Sequence, residues 1–494
     1  MRRSGSKAAK IQTQNDHAAA RPRNGSDAAV FYAFGGSTFF GLLLVGAGVV
    51  LSPKPVLAVP SFARQTGQPC ATCHTAFPEL TPYGREFKLR GYTAGGTRCG
   101  DVAAEDAETQ IPIAGMLTSG FTHLQKGIPP GPGQTGNDNL AVGQLSAFLG
   151  GQIYCNFGAF IQGTYSRTDE NVSLDNTDIR YANTGKVRGI DFVYGVTGNN
   201  NPTVQDVWNT IPAWSFPYLS SDFAPSPGAA TMIEGTFAGR AGGVGAYVWI
   251  NNMVYAEFTA YQSFDPGTLT SLGLDPGDGT PRFDGTAPYW RVALEKTWDK
   301  NSFMLGTFGM FADLQPTVGG GPMGDLLAFP GITDPFTDVG VDTQYQYIGD
   351  VHALTFRASY IWERQKLNGE FGTGASSNLT DSLNSFKASA SYIYNHTISL
   401  TGGYFNTWGT SDVLIYTGAG FTTGSPNSDG WTFDLAYLPF SYGGPRIWPW
   451  LNARIGIEYT HYNRFDGSVN NIDQTPGRTA QDNDTTFVYS WVAF

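Results

Sequence analysis

From about residue 110 to the C-terminus, apolar and polar residues alternate with period two, in segments bounded by turn-forming residues. Over 382–395, Phe386, Ala388, Ala390, Tyr392 and Tyr394 share one face while Ser385, Lys387, Ser389 and Ser391 share the other. Over 352–364, Leu354, Phe356, Ala358, Tyr360 and Trp362 oppose Thr355, Arg357, Ser359 and Glu363. Successive side chains of a strand point to opposite faces, so this pattern builds one apolar and one polar face. A helix, whose faces recur every 3.6 residues, has no use for it. The fold class is therefore all-β.

Alternation alone fits a soluble sandwich as well as a membrane barrel, and the spacing of the segments separates them. Strands are expected to begin near residues 110, 142, 157, 175, 187, 234, 252, 286, 302, 338, 351, 382, 397, 428, 446 and 484, which makes sixteen. Tight connections are expected after even strands, around Cys155-Asn156, Thr184-Gly185, Asn251-Asn252, Asp299-Lys300, Gly349-Asp350, Asn395-His396 and Ser441–Gly444. Connections after odd strands read as long and rich in Gly, Pro, Asp and Asn. An even number of strands with short turns at one end and long loops at the other is the pattern of outer-membrane barrels. The last strand, Thr485–Phe494, carries Tyr489 and Trp491 and ends on Phe, which resembles the assembly signal of such barrels. Sixteen strands enclose a lumen rather than a packed core.

Composition excludes the competing classes. Charged residues are 14% of the 494, against about 25% in ordinary soluble proteins. Aromatics also reach 14% and Gly numbers 63, yet mean hydropathy is −0.20. No apolar run is long enough to span a bilayer as a helix. Aromatic content argues against disorder, aperiodic glycine against collagen, and a net charge of −11 against nucleic acid as a partner.

Residues 1–58 read as an export signal. A basic segment with Arg2, Arg3, Lys7, Lys10, Arg21 and Arg23 precedes an apolar core over 39–51, and Val56-Leu57-Ala58 supplies a small-residue cleavage pattern. These residues hold seven Lys/Arg and two Asp/Glu, which leaves 23 basic against 39 acidic and a net of −16. Such a surface attracts cations.

One short motif carries chemistry. Cys70-Ala71-Thr72-Cys73-His74 is the C-x-x-C-H attachment sequence of a c-type haem. Two thiols three positions apart reach the two vinyl groups of one porphyrin, and the adjacent histidine falls beneath the iron. A zinc site would need a second C-x-x-C, and a thioredoxin-like unit a surrounding βαβ pattern; neither is present. One covalently attached haem c is expected, with Cys70, Cys73 and His74 as its ligands. Residues 59–109 then form a monohaem cytochrome c plug inside or at the mouth of the lumen, and 110–494 the porin-like barrel. Arg64, Arg85, Lys88 and Arg90 flank the motif as possible partners of haem propionates. Cys99 lies shortly before strand one and Cys155 in the first tight turn, so both belong near one rim, where a Cys99–Cys155 disulfide would clamp the plug's exit to the wall.

The stretch Pro60–Gly67, the haem motif and Phe77–Tyr92 together resemble the fused cytochrome–porins, the monohaem outer-membrane iron oxidases of iron-oxidising bacteria. The likeness continues through Asn176–Tyr181 and Asn200–Trp208. It implies an oxidoreductase of the outer membrane of a Gram-negative bacterium. Its donor would be extracellular Fe(II) and its acceptor a periplasmic c-type cytochrome or cupredoxin, with outer-membrane lipid around the barrel. Two other readings stay open: a diffusion porin whose haem plug is structural, and a cytochrome for another extracellular donor.

Two further expectations come from parity and composition. On strand one, Ile111, Ile113, Leu117 and Phe121 share one side, so Met116, Thr118 and Thr122 face the lumen. Met116 is thus the expected sixth haem ligand, or else a lumen-packing side chain; methionine ligation raises the potential. His123 points outward, and Met304 and Met310 are further candidates. Loop 198–233, with Trp208, Trp214, Phe216 and Tyr218, is too apolar to stand in water and is expected to fold over or into the mouth. Its Asp206 and Asp222, and Asp265, Asp275, Asp278 and Asp284 of the next long loop, are candidate attractors of a divalent metal.

Overall fold

A computed structural model describes residues 60–96, 112–130, 134–166, 170–211, 219–277, 280–318, 325–326, 331–416, 423–446, 448, 450–472 and 477–494. The export signal, Cys99, Trp214, Phe216, Tyr218 and Asp278 lie outside the described residues. Sixteen long strands form one antiparallel sheet: β1 Ile113–Leu124, β2 Asn139–Tyr154, β3 Phe157–Ser166, β4 Asn171–Val187, β5 Ile190–Asn199, β6 Ala241–Ile250, β7 Val254–Ser263 and β8 Ala287–Trp298. They continue as β9 Asn301–Gln315, β10 Asp334–Ile348, β11 His352–Lys366, β12 Thr380–Tyr394, β13 Ile398–Gly409, β14 Ser428–Tyr437, β15 Asn452–Arg464 and β16 Thr485–Ala493. Each pairs with its sequence neighbours, and β16 returns to β1 in register from Met116↔Ala493 to Leu124↔Thr485. The sheet is therefore a closed barrel with no free edge. A two-residue strand, Arg282–Phe283, extends it beside β9. Among the described residues no helix is long and apolar enough to cross a membrane.

The alternation sorts as expected. Leu354, Phe356 and Trp362 point outward and are exposed, while Thr355, Arg357, Ser359 and Glu363 point inward and are buried. Leu145, Val244, Leu294, Leu305, Val341, Leu400, Phe433 and Ile457 continue the exposed apolar band. Tyr154, Phe157, Trp298, Tyr347, Tyr394 and Tyr437 ring its tight-turn end. Such a band bounded by aromatics is built to face lipid.

Some boundaries differ from the expected ones. The turn placed at Thr184-Gly185 falls at Arg188 and Gly189, whose positive φ values close the two-residue hairpin; β4 runs on to Val187. Strand six starts at Ala241 rather than 234, because 232–240 turns instead, with Gly235 and Gly239 at positive φ. Strand fifteen starts at Asn452 rather than 446, since Pro445 and Pro449 have no N–H for a ladder. The connection around Ser441–Gly444 is accordingly longer than a tight turn. The link between β3 and β4, from Ser166 to Asn171, is short although it follows an odd strand. On β16 the aromatics Phe487, Tyr489 and Trp491 face the lumen rather than the lipid.

Residues 60–96 sit inside the barrel as three short helices, α1 Pro60–Thr66, α2 Cys70–Cys73 and α3 Pro82–Leu89. α3 starts on a proline, and the Thr81 side chain accepts from the Gly84 N–H at 3.2 Å to cap it. The plug is tied around the circumference. Arg85 pairs with Glu295 on β8, and Glu79 pairs with Arg357 on β11 at 3.2 Å. Tyr92 donates to Asp178 on β4 at 2.6 Å, and Arg454 on β15 donates to the Phe77 carbonyl at 3.0 Å. The seat is close at Gly158 on β3, where a Cβ would overlap the carbonyl oxygen of Gly91. Gly158→Val is therefore expected to lift the 90–92 corner off the wall. Faster tryptic cleavage at Lys88 and Arg90 in solubilised protein would register this, and a wild-type cleavage rate would contradict it.

The loop after β5 enters the lumen from the other end. Residues 200–208, Thr210 and Ile211 are buried, including α4 Pro202–Gln205. Trp208 Nε1 donates to Glu295 at 2.9 Å, and Asp206 accepts from the N–H groups of Trp208 and Thr210, each at 3.0 Å. The expected infolding of this loop holds for these residues.

Candidate functional site

α2 is a single turn, so the thiols of Cys70 and Cys73 sit one turn apart; both are buried and neither is in a disulfide. His74 follows in extended conformation, with its backbone N–H on the Cys70 carbonyl at 2.8 Å. It bridges to Leu80, which folds the chain back into α3. Gly84 permits this, since a Cβ there would overlap the Cys73 carbonyl oxygen. α2 and α3 thus pack backbone to backbone, with the motif at the edge of an apolar cavity of about 140 Å³.

The cavity is lined by Cys73, His74, Phe77, Phe87, Met116 and Trp491, with Thr203, Val204 and Asp206 of the inserted loop on its far side. Plug, wall and loop therefore each contribute. The His74 imidazole is buried, and desolvation lowers its pKa to about 4, so it is neutral; its Nδ1 has no hydrogen-bond partner. Neutral imidazole is the metal-ligating form. Burial also pushes the Cys73 thiol up to about 12. The Cys73 thiol, a neutral imidazole with an unpartnered nitrogen and the Met116 thioether line one apolar cavity, with Cys70 one helical turn away beside Asn452, and this donor set fits a c-type haem.

Met116 is 3% exposed and faces inward, as parity predicts, together with Thr118 and Thr122. His123 is exposed and pairs with Asp138 at 2.7 Å. Met304 packs with Leu89 and Trp208, and Met310 with Phe308 and Tyr289; neither lines the cavity.

The basic residues divide differently from their proximity in sequence. Arg64 donates to the Ile113 carbonyl and lies over the Trp450 ring at 5.7 Å, outside the cavity. Arg85 is buried and turned to the wall, where it meets Glu295, Gln346 at 2.7 Å, Gln344 at 3.0 Å and Ser302 at 3.1 Å. Arg90 pairs with Glu86 at the surface. Lys88 alone of the four lines the cavity, donating to the Val204 carbonyl, and desolvation lowers its pKa to about 8. The roles first considered for Arg64 and Arg85 thus have other partners here, and Lys88 is the base within reach of a bound group.

Of the carboxylates singled out as metal attractors, Asp206, Asp265 and Asp275 are engaged locally. Asp206 caps the 208–210 turn and lies 3.5 Å from Arg291. Asp265 caps α5 Pro266–Ser271, and Asp275 accepts from the Gly277 N–H at 2.8 Å. Among the described residues no group of three His, Cys, Asp or Glu side chains is placed to hold a metal ion.

The barrel is similar to solved outer-membrane proteins. These include the channel DcaP of Acinetobacter baumannii (12% identity, covering 77% of this chain and 96% of that one, TM-score 0.41). OmpF of Salmonella typhi in complex with daunomycin (13%, 77% and 97%, 0.41) and an anion-selective porin from Comamonas acidovorans (11%, 77% and 98%, 0.41) are similar to the same degree. At these scores the likenesses carry no inference about what the lumen holds. No protein-family model and no curated protein matches the chain.

Cys155, at φ +50° in the first tight turn, is disulfide-bonded. Its expected partner, Cys99, lies outside the described residues. Thiol labelling of unfolded, unreduced protein is expected to mark neither Cys99 nor Cys155; two labelled thiols would sink that pairing.

Proposed function

We propose that this protein is an outer-membrane electron-transfer barrel. It would carry one haem c attached through Cys70 and Cys73, with His74 and Met116 as the residues that would hold its iron. It would move electrons from extracellular Fe(II) to a periplasmic c-type cytochrome or cupredoxin. The observation that carries the reading is the apolar cavity on which Cys73, His74 and Met116 meet, inside a lumen that both plug and loop enter. When bound, the haem supplies a one-electron iron couple. The chain's own residues hold that group, exclude water from it and insulate it from lipid.

Direction follows from the barrel's ends. Ala71 N donates to the Ser441 carbonyl at 3.0 Å, and His396 Nδ1 in the turn after β12 lies 3.3 Å from the Thr75 carbonyl. The motif thus sits near the tight-turn end, which faces the periplasm in outer-membrane barrels. The long loops face outward, where an acidic exported chain concentrates a divalent donor and weak carboxylate contacts release its ferric product.

A second reading, the diffusion porin, draws on a cavity of about 520 Å³ beside the inserted loop, lined by hydroxyls of Ser359, Ser389, Thr432 and Thr460. A denaturing gel and a liposome-swelling assay separate the two. The redox reading expects haem that stays attached after denaturation, is lost in the Cys70→Ser/Cys73→Ser double variant, and accompanies negligible sugar-driven swelling. Colourless protein that swells liposomes at porin rates supports the diffusion reading instead.

A further inference from the structure

Trp491 is the one side chain shared by the apolar cavity of the haem motif and a second, polar cavity beside it. The second has a volume of about 220 Å³ and is lined among others by Thr118, Thr122, Asp175, Asn176 and Asp222. β1 runs from the tight-turn end towards the long loops, so Thr118 and Thr122 lie on the long-loop side of Met116. Leu219–Phe223, from the inserted loop, cover this polar cavity. It is therefore a chamber on the outer side of the cofactor cavity.

Trp491 is 3% exposed, and its Nε1 is buried with no hydrogen-bond partner. A buried donor left without an acceptor is unfavourable, so this N–H is suited to an oxygen that arrives with an occupant of the chamber. On its inner side the indole meets Phe77 edge-on at 4.8 Å between centroids, and Phe77 meets His74 edge-on at 5.7 Å. A continuous ring path thus leads from the chamber to the motif histidine. Asp175 accepts from Thr164 Oγ1 at 3.0 Å and from the Asn176 N–H at 2.8 Å, which holds its carboxylate in place at the chamber wall.

We infer that the polar chamber docks the hydrated divalent donor and that Trp491 is the bridging residue through which its electron reaches the cofactor site. This rests on the electron-transfer reading above. Two carboxylates with hydroxyl and amide neighbours hold an ion through its own water shell, whose oxygens meet the indole N–H. Such loose docking lets the oxidised ion leave. The step balances: aqueous Fe(II) would lose one electron to become Fe(III), and the one-electron couple of the haem c that the motif would hold would take it up. No bond forms or breaks in Trp491.

The test uses the purified holoprotein with Trp491→Leu and Trp491→Phe, measuring midpoint potential, visible spectrum and the anaerobic rate of reduction by Fe(II). Redox-inert Mn(II) serves as a competitor. Trp491→Leu is expected to slow Fe(II)-driven reduction by about tenfold, or ~1.4 kcal/mol of barrier, at unchanged potential and spectrum. Trp491→Phe, which keeps a ring, should recover most of the rate. Mn(II) should slow the wild type more than Asp222→Asn. Equal rates for wild type and Trp491→Leu overturn the inference, as does a shifted potential or spectrum in both variants, which would make Trp491 mere packing. If Trp491→Leu fails to assemble, equal Mn(II) competition in Asp222→Asn and wild type overturns it. Wild-type protein that dithionite reduces but Fe(II) does not brings down the underlying functional reading instead.

Discussion

Arg85→Met is expected to weaken the seating of the plug by about 3–5 kcal/mol, the cost of leaving one partner of a buried ion pair uncompensated. Arg85 and Glu295 are 2% and 4% exposed, so water cannot take the place of either. Without the guanidinium, Glu295 keeps only Trp208 Nε1 at 2.9 Å and Ser302 Oγ at 2.8 Å. Gln344, Gln346 and the Leu80 carbonyl each lose a donor. The plug opening constant should rise by roughly 10²–10³-fold or more, read as the rate of tryptic cleavage at Lys88 and Arg90. Arg85→Met with Glu295→Met should recover most of the loss, because a buried pair replaced by apolar groups of similar size is close to neutral. Cleavage at the wild-type rate in the single variant would show that this pair does not hold the plug.

That anchoring was not legible in the sequence, because Arg85 and Glu295 are separated by 210 positions. Closeness to the haem motif suggested a ligand-facing role for Arg85 and Arg64, but α3 aims its Arg85 across the lumen at β8. What the sequence does show is whatever lipid enforces locally. A strand between lipid and a polar lumen must alternate, so all sixteen strands and the inward parity of Met116 could be read residue by residue. Parity also distinguishes His123, outward and paired with Asp138, from Met116. Where glycine and proline govern the backbone, as at 232–240 and before Asn452, alternation misleads by several residues. Trp491 stood out only as part of a terminal aromatic strand. Its place between two cavities depends on the plug and the inserted loop, neither of which is adjacent to it in sequence.

Met116→Ala is expected to remove the far-red charge-transfer band of the oxidised protein and to lower its midpoint potential, since methionine ligation raises haem potential. The residue lines the same cavity as His74 and Cys73, and β1 holds it there through pairing with Ser146 and Ala493 on both sides. Alanine leaves the strand intact, so the barrel should fold and keep its covalently bound haem. Met304→Ala serves as the control, because Met304 packs with Leu89 and Trp208 away from the cavity. Its band and potential should match the wild type. A band that survives in Met116→Ala would remove Met116 from the ligand set.

Whether the protein takes electrons from Fe(II) at the motif that His74 completes is read by anaerobic stopped-flow absorbance on purified holoprotein. Excess Fe(II) is added to the oxidised protein at acidic and at neutral pH, with His74→Ala alongside and dithionite as the reference reductant. Fe(II) is expected to bring the wild type to the dithionite-reduced spectrum at one or both pH values, and His74→Ala to lose this response. Wild-type protein that stays oxidised under excess Fe(II) at both pH values, while dithionite reduces it, would contradict the account.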